Sequence, residues 1–62
     1  MKAEDTITEE GIEYPVTYNS DKTFTYATTY INGLKIEGRG TDAELAYWSL
    51  EQKIYQTFHF KL

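Results

Sequence analysis

The sequence predicts an α+β domain, a three-stranded antiparallel sheet packed on one face by a single C-terminal helix. Asn32-Gly33 stands between two β-rich runs, and a two-residue type I′ turn needs φ > 0 at both central positions, which these residues tolerate best. Thr41-Asp42-Ala43-Glu44 has the spacing of a helix capping box. Beyond it, at 100° per residue, Ala43, Ala46, Tyr47, Leu50 and Ile54 fall on one helical stripe, with Phe58 at its edge.

Residues 1–13 read as an acidic lead-in to a single β-β-β-α domain over 14–62. The lead-in holds Glu4, Asp5, Glu9, Glu10 and Glu13 against Lys2 alone, so it carries the whole net charge of −4, while acids and bases balance from Tyr14 onwards. Such a stretch is either a solvated, partly disordered arm or a segment that contacts a basic partner or mimics phosphates. Tyr14 to Tyr18 is a short strand, and Pro15, which cannot donate to a ladder, puts it at a sheet edge. Asn19-Ser20-Asp21-Lys22 is turn chemistry. If Asn19 and Lys22 close that turn, Tyr18 pairs with Thr23, Val16 with Thr25 and Tyr14 with Ala27.

Thr23 to Ile31 is a long central strand rich in threonine and aromatics, and Leu34 to Arg39 is the third. The Asn-Gly turn sets Ile31 opposite Leu34, Thr29 opposite Ile36 and Tyr30 opposite Lys35. Gly38 and Gly40 then release the chain from the sheet. The helix starts at Asp42 with Thr41 as its cap. Leu45, Trp48 and Tyr55 lie off the core stripe. Phe58-His59-Phe60-Lys61-Leu62 leaves two continuations open, a helix to about Thr57 with a loose tail or a fourth C-terminal strand.

Alternation along the strands gives the sheet two unlike faces. Tyr14, Val16, Tyr18, Ala27, Thr29, Ile31, Leu34 and Ile36 share the face that receives the helix. The other carries Phe24, Tyr26, Tyr30, Lys35 and Arg39, together with threonines and Glu37, as an open platform. Threonine and tyrosine suit the solvent side of an antiparallel sheet, and rings can cover the stems of Lys35 and Arg39. A two-layer domain nevertheless gains little by leaving Phe24 beside two tyrosines in water. The platform therefore reads as an interface for a protein, a second copy or stacked bases. Trp48 and Tyr55 on the helix flank form a second candidate binding patch.

Catalytic chemistry is missing from the chain. His59 is the only histidine and sits between two phenylalanines, and neither Ser20 nor Ser49 has a base in its sequence neighbourhood. No cofactor motif, calcium-loop spacing or cysteine pair occurs, so neither a cofactor nor a metal is expected, and a disulfide framework is excluded. No stretch approaches the ~20 apolar residues of a membrane span. Met1 to Asp5 lacks the apolar core of a signal peptide, which makes a cytoplasmic location the expectation. A body with no basic excess argues against a tight phosphate-tracking domain.

The order of three strands and a helix entered through Gly38-Arg39-Gly40-Thr41 resembles the second half of double-stranded-RNA-binding domains, over about residues 23–55. Where that family places consecutive lysines at the helix start, this chain has Asp42-Ala43. Leu34 to Tyr47, ending Thr41-Asp42-Ala43-Glu44-Leu45-Ala46-Tyr47, also looks like the strand-helix segment of plant ethylene-response-factor DNA-binding domains and of the arm-binding domains of phage integrases. In those families a three-stranded sheet meets the DNA groove, which implies Tyr26, Tyr30, Lys35 and Arg39 as the contact surface. From the residues themselves, the expected function is that of a non-enzymatic protein-interaction module of the size of phage or mobile-element accessory proteins or inhibitors. Its expected partner is a basic or nucleic-acid-handling protein or a second copy of the chain, and weak nucleic-acid binding by the same face is the alternative.

Overall fold

The computed structural model describes residues 5–59 and has the order β1 (Thr6–Glu9), β2 (Ile12–Pro15), β3 (Thr17–Ser20), β4 (Thr25–Ile31), β5 (Leu34–Gly40) and α1 (Ala43–His59). All strands are antiparallel, β1-β2 forming one sheet and β3-β4-β5 a second, and one helix packs on them.

The hairpin β4-β5 has the register that Asn32-Gly33 dictates, with Ile31 opposite Leu34, Thr29 opposite Ile36 and Tyr30 opposite Lys35. Both turn residues adopt positive φ, 54° at Asn32 and 80° at Gly33. Leu34 corrects the expectation for its face. Although alternation puts it on the helix side, it is 48% exposed, because it sits beside the turn at the end of an edge strand.

The reading of residues 1–13 as a lead-in is corrected over its described part. Thr6–Glu9 pairs with Ile12–Pro15 through a second two-residue turn, Glu10-Gly11, with φ of 55° and 80°. Ile7 is buried in the main core, which ties the acidic segment to the domain. Glu10 is a poor residue for left-handed backbone, so Glu10→Asn is expected to stabilise the fold by about 0.5–1 kcal/mol. The urea midpoint reads that gain directly.

The strand expected over 14–18 is two strands divided at Val16. On one side of Val16 the chain pairs with β1, and its own N–H still donates to the Asp5 carbonyl at 3.0 Å. On the other side it pairs with β4. At this crossover the Pro15 carbonyl accepts from the buried Thr29 hydroxyl at 2.8 Å, which satisfies a polar group inside the core.

The β3-β4 register differs from the expected one by four residues, Tyr18 facing Ala27 rather than Thr23. Asp21 is the cause. Its carboxylate accepts from the N–H groups of Thr23 and Phe24, both at 2.8 Å, while its own N–H donates to the Phe24 carbonyl. This Asx turn takes Thr23 and Phe24 out of the central strand. A slip of an even number preserves the faces, so Tyr18 still packs against the core.

The helix is capped one residue later than expected. The Asp42 carboxylate accepts from the Leu45 N–H at 2.9 Å, and the Asp42 carbonyl accepts from Ala46 N–H at 3.0 Å. Ala46, Leu50 and Ile54 are buried and Tyr47 and Phe58 pack beside them. Ala43, at the first turn, is exposed rather than part of the stripe. The helix continues to His59, which removes the fourth-strand alternative at residues 58 and 59; residues 60–62 lie outside the described residues.

Gly38 and Gly40 do not release the chain. Both belong to β5, and a Cβ at Gly38 would lie 2.6 Å from the Leu50 Cα, one at Gly40 2.7 Å from the Ala46 nitrogen. With Ala27 and Ala46, they let the helix main chain rest on the sheet.

Candidate functional site

The outer face of β3-β4-β5, turned away from the helix, holds five of the seven residues singled out from sequence. Tyr26 faces Arg39 across the ladder, and Tyr30 faces Lys35 four pairs nearer the turn. Phe24 enters from the Asp21 turn. The Arg39 guanidinium stands over its ring at 4.7 Å from the centroid, and the Tyr26 ring meets it edge-on at 6.4 Å and 65°. A cation so placed on a partly exposed ring contributes about 0.5–1 kcal/mol.

Phe24, Tyr26 and Arg39 therefore form one cluster whose members already satisfy one another. The Tyr26 hydroxyl donates to Asp21 at 3.0 Å, and this bond is the main reason its phenol titrates above the ordinary range. The same carboxylate is held below the usual range, chiefly by the N–H groups of Phe24 and Thr23. Phe24 and Tyr26 are half-buried. Tyr30, by contrast, is 59% exposed, with Lys35 exposed beside it.

Trp48 and Tyr55, also singled out, are 59% and 62% exposed on α1. Because the helix covers the inner face of the sheet, they stand on the opposite side of the molecule from Tyr26 and Tyr30. The seven candidates thus divide between two surfaces.

At the free edge of β5, the main chain of Lys35, Glu37 and Arg39 points away from β4, since the pairs nearest a two-residue turn set the alternation. Lys53 reaches from the helix to this edge and donates to the Glu37 carbonyl at 3.1 Å.

A third feature was not legible as a site in the sequence. A cleft runs between β1 and α1 in two compartments of about 350 and 400 Å³ that share Thr6 and Tyr47. Its carboxylates are Asp5 and Glu9 from the first hairpin and Glu44 and Glu51 from the helix, and among the described residues no lysine or arginine lines it. Two tyrosines bridge it. The Tyr18 hydroxyl donates to Asp5 at 2.6 Å, and the Tyr47 hydroxyl to the Thr6 carbonyl at 2.6 Å. Burial, followed for Tyr18 by its bond to Asp5 and for Tyr47 by the charge of Glu51, holds both phenols above the ordinary range.

Among the described residues, no group of three or more His, Cys, Asp or Glu side chains is placed to hold a metal ion, and no helix is long and apolar enough to cross a membrane. The architecture is that of a small α+β domain built from β-hairpins and one helix. No protein-family model matches the chain, and neither the curated proteins nor the solved structures compared with it yield a match.

Proposed function

We propose that the chain is a small non-enzymatic interaction module that docks a protein through the outer face of β3-β4-β5. The observation that carries this reading is the uncovered outer face itself, where Tyr30 and Lys35 stand exposed beside the Phe24-Tyr26-Arg39 cluster. The cluster's internal contacts hold Arg39 and Tyr26 in fixed geometry, so docking costs less side-chain entropy than it would from mobile groups. Tyrosine and arginine are also the residue types in which binding energy concentrates. The partner class is a basic or nucleic-acid-handling protein or a second copy of the chain, and a cytoplasmic setting belongs to the same proposal.

Lys35 and Arg39, each opposite a tyrosine, favour a second reading in which the same face weakly binds nucleic acid by stacking and charge. Salt separates the two. Nucleic-acid affinity should fall steeply as salt rises, whereas an aromatic protein interface should respond little.

Tyr26→Ser with Tyr30→Ser keeps residues that a strand accepts, so the domain should still fold with a moderate loss of stability. Partner affinity is expected to fall about tenfold or more. The test uses the wild-type chain and this variant as paired baits in the host lysate, followed by mass spectrometry, with sedimentation of each to read self-association. A partner retained equally by both would refute the assignment of the face. Lys35→Glu with Arg39→Glu should abolish any nucleic-acid binding while leaving part of a protein affinity centred on the aromatics. Submicromolar, sequence-dependent DNA binding at physiological salt would put the second reading first.

A further inference from the structure

We infer that the cleft between β1 and α1 binds an extended, lysine- or arginine-bearing peptide segment of a partner, which adds as a strand to the free edge of β1. This surface is separate from the outer face of the three-stranded sheet and does not depend on the reading given to that face.

The edge follows from the hairpin. Glu9 and Ile12 flank a two-residue turn and Val16 N–H donates to the Asp5 carbonyl, so Asp5, Ile7 and Glu9 direct their main chain to β2. Thr6 and Thr8 then point theirs the other way, towards the cleft. The Tyr47 hydroxyl bound to the Thr6 carbonyl confirms that direction, and no strand pairs with this side of β1 among the described residues. Four residues of β1 offer ~13 Å of edge, enough for a short extended segment.

The edges of β1 and β5 are treated differently. On β5 the outward positions are charged, and Lys53 lies on the Glu37 carbonyl, which is how natural sheets deter added strands. On β1 the outward positions are uncharged threonines; the neutral Tyr47 hydroxyl takes one lone pair of the Thr6 carbonyl, and the added strand pairs with the remaining outward groups of Thr6 and Thr8. A charge that repels most segments but attracts one class lines the cleft, with carboxylates on both walls. Alternate side chains of an added strand point the same way ~6.6 Å apart. Two such lysines or arginines can address the two compartments, one near Asp5 and Glu44 and one near Glu9 and Glu51, with their stems against the faces of Tyr47 and Tyr55. The first hairpin thereby supplies both the strand edge and half the charge.

The test titrates the full chain, isotopically labelled, with a blocked peptide of alternating lysine and valine about eight residues long, and with its glutamate-valine counterpart. Saturable binding of the lysine peptide alone is expected, with the largest amide shifts at Thr6 and Thr8. Glu44→Lys and Glu51→Lys should each weaken it about tenfold or more. The charge-matched variant Thr23→Lys with Gln56→Lys, whose sites are exposed and outside the cleft, should stay within about twofold of wild type. Thr8→Pro removes an outward N–H without touching the β1-β2 ladder and should weaken binding about tenfold.

Absence of saturable binding overturns the proposal, as does equal weakening by the charge-matched variant, which would mean attraction to net charge alone. A folded Thr8→Pro chain that binds like wild type excludes strand addition. If that variant does not fold, hydrogen exchange of the wild type decides. Peptide-induced protection of the Thr6 and Thr8 amides supports the proposal, and unchanged exchange overturns it. Shifts centred on Tyr26 and Tyr30 would also overturn it.

Discussion

Gly38→Ala is expected to destabilise the domain by about 3 kcal/mol or more, the upper end of what an added methyl costs in a packed interior. The added Cβ would lie 2.6 Å from the Leu50 Cα and 2.7 Å from the Ser49 carbonyl carbon, and both are main-chain atoms that no rotamer change can move aside. A core of this size supplies only ~3–5 kcal/mol in total, so much of the variant should be unfolded at 25 °C. Loss of amide dispersion in a two-dimensional NMR spectrum reads this directly. Trimming the facing side chain should not help. Gly38→Ala combined with Leu50→Ala should be worse than either alone, because the clash is with the Leu50 backbone. Recovery of stability in the double variant would show that the helix does not rest on the sheet as described.

Leu50→Ala alone is expected to cost about 2–5 kcal/mol, and Leu45→Ala about 0.5–1 kcal/mol. Leu50 is fully buried at the centre of the core, whereas Leu45 is half exposed and touches Gly40 through its Cβ, which alanine retains. Urea denaturation ranks the two. The reverse order would place the wrong face of α1 against the sheet.

These effects show which parts of the molecule can be read from residue types. The register of β4-β5 follows from Asn32-Gly33, since few residues accept positive φ and these two announce it. The buried stripe of the helix follows from the spacing of Ala46, Leu50 and Ile54. Glu10-Gly11 makes the same kind of turn, yet Glu10 is not a residue that signals left-handed backbone, and its acidic surroundings suggest a solvated arm. The signal that could have found the first hairpin is the glycine between Thr6-Ile7-Thr8-Glu9 and Ile12-Glu13-Tyr14-Pro15, where Thr6-Ile7-Thr8 and Ile12-Glu13-Tyr14 each alternate in polarity.

Asp21 hides the β3-β4 register for a different reason. Turn-forming residues occupy several consecutive positions there, and only the bonds that Asp21 makes select one closure. The close approach at Gly38 is tertiary and has no local signature at all.

For the candidate surfaces, alternation brings Tyr26, Tyr30, Lys35 and Arg39 to one face, and the even register slip protects that inference. Phe24 reaches the same cluster from a turn instead of a strand. Trp48 and Tyr55 are exposed, but the sequence does not reveal that they lie across the molecule from the others. The cleft depended on contacts between residues some forty positions apart, as in the bond from Tyr47 to Thr6, and so was beyond any local pattern.

The hold of Lys53 on the Glu37 carbonyl bears on how the protein behaves when concentrated. A seven-residue border strand is long enough to nucleate stacking of many copies into a filament, and a tethered ammonium group at its midpoint interrupts that growth. At that border an incoming main chain would have to displace the Lys53 ammonium before it could pair with the Glu37 carbonyl.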